Sequence, residues 1–145
     1  MEPEERIESE DLAALFARIT RRLLDAERPV FAAHGLSMWG YIALSQLARR
    51  PPDTQLALAR AIGHDKTRLI ALLDELERAG LITRKPDPAD RRVRKVRLTA
   101  AGEAGRAAVQ AGIRLMEAEF LGDRSAAEQG ALRAVLTRLA GQRQP

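Results

Sequence analysis

Apolar residues recur every three or four positions in several segments of the chain, which is the spacing of amphipathic helices. The first such stripe consists of Leu12, Leu15, Phe16, Ile19, Leu23 and Ala26. It predicts a helix from about residue 9 to residue 33, with a kink at Pro29. A second stripe near the other end of the chain consists of Leu132, Val135, Leu136 and Leu139. It predicts a last helix that begins at the capping residue Ser125.

The middle of the chain contains closely spaced signals for helix starts and stops. Capping side chains predict three helices, at residues 38–49, 55–62 and 65–80, whose caps are Ser37, Thr54 and Asp65. Pro51 and Pro52 end the first of these helices. The third helix has the apolar stripe Leu69, Leu72, Leu73 and Leu76.

Two short strand-like runs follow, Leu81–Lys85 and Val93–Leu98, and they are separated by a segment rich in proline and aspartate. This pattern predicts a hairpin. A long alanine-rich helix then runs from Thr99 to about Phe120. The predicted fold is therefore mainly α with one small β-hairpin, within a single domain of residues 1–145.

Composition excludes several classes of protein. The chain has no cysteine and two histidines, so we expect no disulfide, no zinc finger, no metal site and no cofactor. No apolar run reaches the roughly 18 residues of a membrane span, and the first residues are acidic rather than those of a secretory signal. We expect a cytoplasmic protein without a membrane partner.

Positive charge is concentrated in one segment, although the whole chain carries a formal net charge of only +4. Residues 83–97 contain seven basic side chains, namely Arg84, Lys85, Arg91, Arg92, Arg94, Lys95 and Arg97, against Asp87 and Asp90. Such a cluster is typical of a surface that binds phosphates. The alternative is a charged hairpin that is simply solvated.

A short capped helix, a turn that contains glycine, a second helix and a basic hairpin form the pattern of a winged helix-turn-helix. The major groove of B-DNA accepts one α-helix, and the first turn of the second helix would enter it. Lys66, Thr67 and Arg68 lie in that turn. The hairpin, or wing, would reach the neighbouring minor groove, where arginine is favoured.

The same segment resembles the MarR (multiple antibiotic resistance regulator) family. The resemblance is carried by Thr54-Gln-Leu-Ala-Leu-Ala-Arg-Ala-Ile-Gly63, Asp65-Lys-Thr-Arg-Leu69, Leu72-Leu-Asp-Glu-Leu-Glu77, Gly80-Leu-Ile82, Asp87-Pro-Ala-Asp-Arg-Arg92 and Val96-Arg-Leu-Thr99 to Gly102. It implies a homodimeric bacterial transcription regulator, usually a repressor, which binds a pseudo-palindromic duplex. Many members release DNA when a small aromatic acid binds.

By position, the resemblance directs five residues of the recognition helix to DNA, namely Lys66, Thr67, Arg68, Ile70 and Ala71. It gives Arg91 and Arg92 the role of wing-tip contacts, with Asp90 steadying the arginine through a salt bridge. Thr54, Gln55, Arg84 and Arg94 complete the predicted DNA-binding set. Ala71 and Glu75 depart from the family, which often has basic residues at these positions. His64 also departs from it, and we expect it to pack in the turn.

The resemblance divides the chain into a winged helix-turn-helix lobe, residues 37–98, and dimerisation helices at residues 9–34 and 99–141. The predicted dimer interface contains Leu12, Leu15, Phe16, Leu132, Leu136 and Leu139, because these side chains have no obvious partner in so small a core. The alternative is that the two stripes pack on each other within one chain.

Most aromatic side chains lie near the start of the second helix. In relatives this region borders the effector cleft, so we expect Phe16, His34, Trp39 and Tyr41 to line a pocket for a planar ligand. Packing in the core or in the dimer interface is the alternative.

Two other functional classes were weighed. The chain lacks a cysteine nucleophile, a Gly-x-Ser-x-Gly motif and a glycine-rich phosphate loop, so we do not expect an enzyme. A winged-helix adaptor that binds only proteins is the remaining alternative, and the basic wing argues against it.

Overall fold

The chain forms six helices and one antiparallel hairpin within the residues that the computed structural model describes, 10–49 and 54–141. In order, these elements are α1 (Leu12–His34), α2 (Met38–Arg49), α3 (Gln55–Ile62), α4 (Lys66–Arg78), β1 (Ile82–Pro86), β2 (Arg94–Leu98), α5 (Ala100–Leu121) and α6 (Ala126–Gly141). The predicted element order and the mainly helical class are confirmed. The expected helix start at Ser9 and the stop at Pro51 and Pro52 lie outside the described residues. None of the described helices is long and apolar enough to cross a membrane.

Five helices begin at capping side chains, and the sequence predicts four of these caps and names Thr99 only as the start of the long helix. In each case the side-chain oxygen accepts a hydrogen bond from a backbone N–H three residues later, at 2.9–3.1 Å, and the caps are Ser37, Thr54, Asp65, Thr99 and Ser125. These bonds satisfy N–H groups that a helix leaves without a partner at its first turn. The predicted start of each helix in the central region is therefore correct to within one residue.

Both strands begin one residue later than predicted. Strand β2 begins at Arg94 because Val93 belongs to the hairpin turn, where its N–H donates to the carbonyl oxygen of Asp90 at 3.0 Å. Strand β1 begins at Ile82 because Leu81 has another role. Its N–H donates to the carbonyl oxygen of Leu76 at 2.9 Å, and its carbonyl oxygen accepts from the N–H of Thr99 at 3.1 Å. Gly80 allows this turn by adopting a left-handed backbone with φ of 74°. The hairpin register then pairs Ile82 with Leu98 and Pro86 with Arg94.

One hydrophobic core joins the central helices to the hairpin. Its most deeply buried large side chains come from α2, α3, α4, both strands and α5, and they are Leu44, Leu58, Leu69, Leu73, Ile82, Val96 and Val109. All four residues of the predicted apolar stripe of α4 are buried. The core thus holds α4 by one face and leaves its opposite face in solvent.

The outer helices leave apolar side chains exposed. Helix α1 continues through Pro29 and packs on α5, where Gly112 lies close to Val30. Neither α1 nor α6 contains a buried residue. The exposed apolar side chains of these two helices are Leu12, Phe16, Ile19, Leu24, Leu132, Val135, Leu136 and Leu139. Residues of α1, α5 and α6 line one cavity of about 360 Å³, and the apolar side chains listed above stay exposed within one copy of the chain.

Candidate nucleic-acid interface

The first turn of α4 presents three exposed polar side chains, those of Lys66, Thr67 and Arg68. Asp65 fixes this turn because its carboxylate accepts the N–H of Arg68 at 2.9 Å. The same carboxylate lies 3.9 Å from Nε of Arg68, which leaves most of the guanidinium in solvent. The positive end of the helix dipole adds to the two cationic side chains. The first turn of α4 is therefore an exposed, positively charged surface.

The exposed face of α4 continues from this turn through Ala71. It lies opposite the buried leucines because the helix repeats every 3.6 residues. Ile70, by contrast, is half buried and faces the hairpin. Of the five residues predicted to contact DNA from this helix, four are exposed, and Ile70 is the one that is partly covered.

A groove of about 330 Å³ lies between α3, α4 and the hairpin. It brings together predicted residues from all three elements, namely Thr54, Gln55, Lys66, Ile70, Arg92 and Arg94. Leucine and alanine side chains form its floor, and the cationic side chains of Lys66, Arg92 and Arg94 stand in solvent beside it. The structure thus places the short helix, the recognition helix and the wing around one shared concavity.

The wing tip is held by short-range hydrogen bonds of its own aspartates. Asp90 accepts from both the N–H and the Nε of Arg92, at 3.1 and 3.2 Å. Asp87 accepts from the N–H of Ala89 at 2.8 Å and lies 3.8 Å from Nζ of Lys95. The expected ion pair between Asp90 and Arg92 is present, yet the side chain of Arg92 stays 92% exposed. Arg91 is exposed beside it.

Arg84, a member of the predicted DNA-binding set, forms ion pairs within the chain. Its guanidinium is only 15% exposed and donates to the carboxylates of Asp74 and Glu77 on α4. The side-chain hydrogen bond that Arg84 donates to Glu77 is the main reason that the pKa of Arg84 is raised and that the pKa of Glu77 is lowered. The side chain therefore fastens β1 to α4 and is turned away from the groove.

Three of the four predicted ligand-binding residues make contacts of their own within the chain. Trp39 packs against His64 with ring centroids 4.3 Å apart and ring planes tilted by 51°, and Tyr41 packs on Phe31 at 5.9 Å. Nδ1 of His34 donates to the carbonyl oxygen of Val30 in its own helix, at 2.8 Å. Phe16, His34, Trp39 and Tyr41 line neither of the two cavities described above. Their common ligand pocket stays a prediction.

The sequence analysis does not predict two contacts at the site. The first is the pairing of Arg84 with Asp74 and Glu77, which lie on the side of α4 next to β1. The sequence does contain a signal for this pairing, because two carboxylates three residues apart precede the arginine by seven and ten positions. The second is the contact between His64 and Trp39, which are 25 positions apart, so the sequence offers no local signal for it. It does agree with the expectation that His64 packs in the turn.

These features define a winged helix-turn-helix protein, with an exposed recognition helix and an arginine-tipped wing. A model of the MarR family matches residues 34–93. A structure described as a probable transcriptional regulator from Pseudomonas aeruginosa is 31% identical, with a TM-score of 0.68, and the match covers 89% of this chain and 99% of that one. The chain belongs to the MarR family of transcriptional regulators.

Two further solved structures share the fold over most of their length. A MarR-family transcriptional regulator from Rhodococcus sp. RHA1 is 24% identical with a TM-score of 0.77, and the match covers 92% of this chain and 97% of that one. CouR from Rhodococcus jostii RHA1, solved with p-coumaroyl-CoA bound, is 25% identical with a TM-score of 0.73, and the match covers 94% and 96%. Membership of this family of DNA-binding regulators agrees with the expectation that the chain is not an enzyme.

Proposed function

We propose that the chain is a homodimeric repressor that binds a pseudo-palindromic duplex, with one α4 in each of two successive major grooves. The observation that carries this proposal is the common surface formed by the exposed first turn of α4 and the wing tip. Lys66 lines the shared groove on the α4 side and Arg92 lines it on the wing side, while Arg68 is exposed in the same first turn as Lys66. This arrangement suits a helix in the major groove and a hairpin on the adjacent minor groove.

Dimerisation is supported by the unburied apolar faces of α1 and α6. Residues 9–34 and 99–141 would form the dimer, and residues 37–98 the DNA-binding lobe. A two-fold axis brings the same faces of two copies together, which buries the stripes without a further partner. It also sets the two recognition helices about one helical turn of DNA apart. Repression is the usual outcome in this family, because a bound dimer occupies the operator.

Release by a small aromatic acid is the regulatory part of the proposal. CouR, which shares the fold, was solved with p-coumaroyl-CoA. A ligand shifts the dimer towards a form that does not bind DNA only if its affinity differs between the two forms. Because Phe16, His34, Trp39 and Tyr41 line neither cavity described above, we infer that a second copy completes the pocket. Quenching of Trp39 fluorescence by aromatic acids, with parallel loss of duplex binding, would test this.

Salt dependence of duplex binding tests the main proposal. Affinity should fall steeply with salt, because each phosphate contact releases counterions. Arg92→Ala should weaken binding to every duplex and reduce the slope of log affinity against log salt by about 1 per chain. Arg124→Ala is the matched control, since Arg124 is exposed at the turn between α5 and α6. It should leave both quantities unchanged.

The adaptor alternative gives a different result in the same experiment. An adaptor would bind duplex DNA weakly or not at all in dilute buffer, and Arg92→Ala would then match the Arg124→Ala control. That outcome, or a monomeric chain at micromolar concentration, would contradict the proposed function.

A further inference from the structure

Glu75 shares a side of the recognition helix with Arg68 and Ala71. At 100° per residue these three positions fall within about 60° of one another on the helical wheel. All three are exposed. The hairpin lies on the other side of α4, where Asp74 and Glu77 bind Arg84. Arg68, Ala71 and Glu75 therefore form one exposed line along the edge of α4 that faces away from the wing.

Glu75 has no structural role that the described part of the chain reveals. Three carboxylates lie close together in the second half of α4, and Arg84 binds two of them, Asp74 and Glu77. Within residues 10–49 and 54–141, no hydrogen bond or ion pair involves the side chain of Glu75. The fold thus leaves this carboxylate free on the surface that the proposed function turns towards DNA.

The chemistry of a carboxylate limits what it can bind in a major groove. An ionised carboxylate is only an acceptor, so phosphate oxygens and the O6 and N7 atoms of guanine repel it. The exocyclic N4 amino group of cytosine is a donor, and acidic side chains accept from it. Arginine has the complementary preference, because its fork donates to O6 and N7 of guanine.

We propose that Glu75 is a specificity-determining residue that accepts a hydrogen bond from N4 of a cytosine in each half-site. Arg68 would bind a guanine in the same half-site. Seven residues of helix span about 10 Å, which corresponds to about three base-pair steps of 3.4 Å. The half-site would therefore contain two G·C pairs about three steps apart. This inference rests on the proposed function, because it requires α4 to lie in the major groove.

Selection from a pool of random duplexes, followed by affinity measurements on single-site variants of the selected duplex, tests the inference. The wild-type chain should prefer the G·C pair near Glu75 over the alternatives by about 5- to 150-fold. Glu75→Gln should lose this preference or exchange it for adenine, which glutamine binds. The preference at the position read by Arg68 should persist in that variant.

Asp123→Asn is the matched control, since Asp123 is an exposed carboxylate at the turn between α5 and α6, and its replacement changes the charge by the same amount. It should retain both base preferences. If Glu75→Gln instead strengthens binding to all duplexes alike, Glu75 only repels phosphates and the inference is wrong. Unchanged base preference in Glu75→Gln also overturns it. If the wild-type chain selects no sequence motif at all, the proposed function itself fails. A failure of the inference alone leaves a selected motif whose base preferences do not change in Glu75→Gln, so the two failures are distinguishable.

Discussion

Arg84 and Glu77 are joined by two hydrogen bonds that fasten the hairpin to the recognition helix. The backbone N–H of Arg84 donates to one carboxylate oxygen of Glu77, and its guanidinium donates to the other, each at 3.0 Å. Asp74 accepts from the same guanidinium nitrogen one turn earlier on the helix. Strand β1 and helix α4 are therefore coupled through side chains. We infer that this coupling sets the position of the wing relative to α4.

Replacing Arg84 should separate a positioning role from direct contact with DNA. Arg84→Ala should weaken duplex binding, because the wing loses its attachment to α4, while the slope of log affinity against log salt should change by less than about 0.5 per chain. A lost phosphate contact would lower the slope by about 1 per chain. Titrations of a labelled duplex at several salt concentrations give both quantities.

Arg97→Ala provides a control within the same hairpin. Arg97 is exposed on β2, opposite Thr83 in the register, and it has no ion pair among the described residues. It should leave hairpin amide exchange unchanged, whereas Arg84→Ala should accelerate it. A fall in salt slope of about 1 per chain in Arg84→Ala would show instead that Arg84 binds phosphate in the complex.

Acid should loosen the same attachment. The side-chain hydrogen bond from Arg84 is the main cause that lowers the pKa of Glu77 below its usual range. A lowered pKa in the folded state means that the contribution to stability is fully present above the usual glutamate pKa and is lost as pH falls through the lower folded value. The protection factors of the hairpin amides, which correct the exchange rate for its intrinsic pH dependence, should therefore fall below about pH 4. In Glu77→Gln these protection factors should already be low at neutral pH and should not fall further in this range.

The local elements could be predicted from the sequence because each depends on signals a few residues apart. Ser37, Thr54 and Asp65 cap their helices by bonding to N–H groups three residues later. The leucine stripe of α4 is likewise buried as its periodicity indicates. Such features need no knowledge of distant parts of the chain.

The roles of individual site residues depend on contacts across the fold, and these were harder to predict. A basic residue in a basic cluster has the same appearance whether it faces phosphate, as Arg92 can, or a carboxylate on another element, as Arg84 does. Nothing in the local sequence distinguishes the two. The aromatic side chains show the same dependence, because Trp39 contacts His64 and Tyr41 contacts Phe31 across elements, and the local sequence signals neither contact.

Gly102 should be required for stability by close packing of backbone. A Cβ at this position would lie 2.0 Å from the carbonyl oxygen of Leu81. That carbonyl is fixed because it accepts the N–H of Thr99, and Leu81 also donates to Leu76. Gly102→Ala should therefore lower the free energy of unfolding by about 1–3 kcal/mol. Chemical denaturation measures the difference.

Gly105 offers the matched substitution one turn later in α5. The nearest atom to a Cβ built there is 4.0 Å away, so Gly105→Ala should gain helix propensity without a clash. Its free energy of unfolding should be unchanged or higher by up to about 1 kcal/mol. Equal effects of the two substitutions would show that the backbone around Leu81 can move to accept a side chain.

The apolar face of α6 should determine whether the chain is a dimer. Leu136 remains 38% exposed and lines the cavity between α6, α1 and α5. In a dimer that buries this face, a carboxylate at position 136 would lose its water without gaining a cationic or hydrogen-bonding partner. Leu136→Asp should therefore raise the dimer dissociation constant by roughly 30-fold or more, as for the loss of about 2 kcal/mol from an interface. Sedimentation equilibrium over a range of concentrations measures this constant.

Ala134→Asp introduces the same charge on the opposite, solvent-facing side of α6. It should dimerise like the wild-type chain and bind the same duplex. Since a single recognition helix makes only half of the contacts, Leu136→Asp should also lose duplex affinity at concentrations where it is monomeric, and it should regain affinity as concentration drives association. If both variants remained dimeric, the apolar stripe of α6 would lie outside the dimer interface. The exposed face of α1 would then have to form the interface that brings the two recognition helices together.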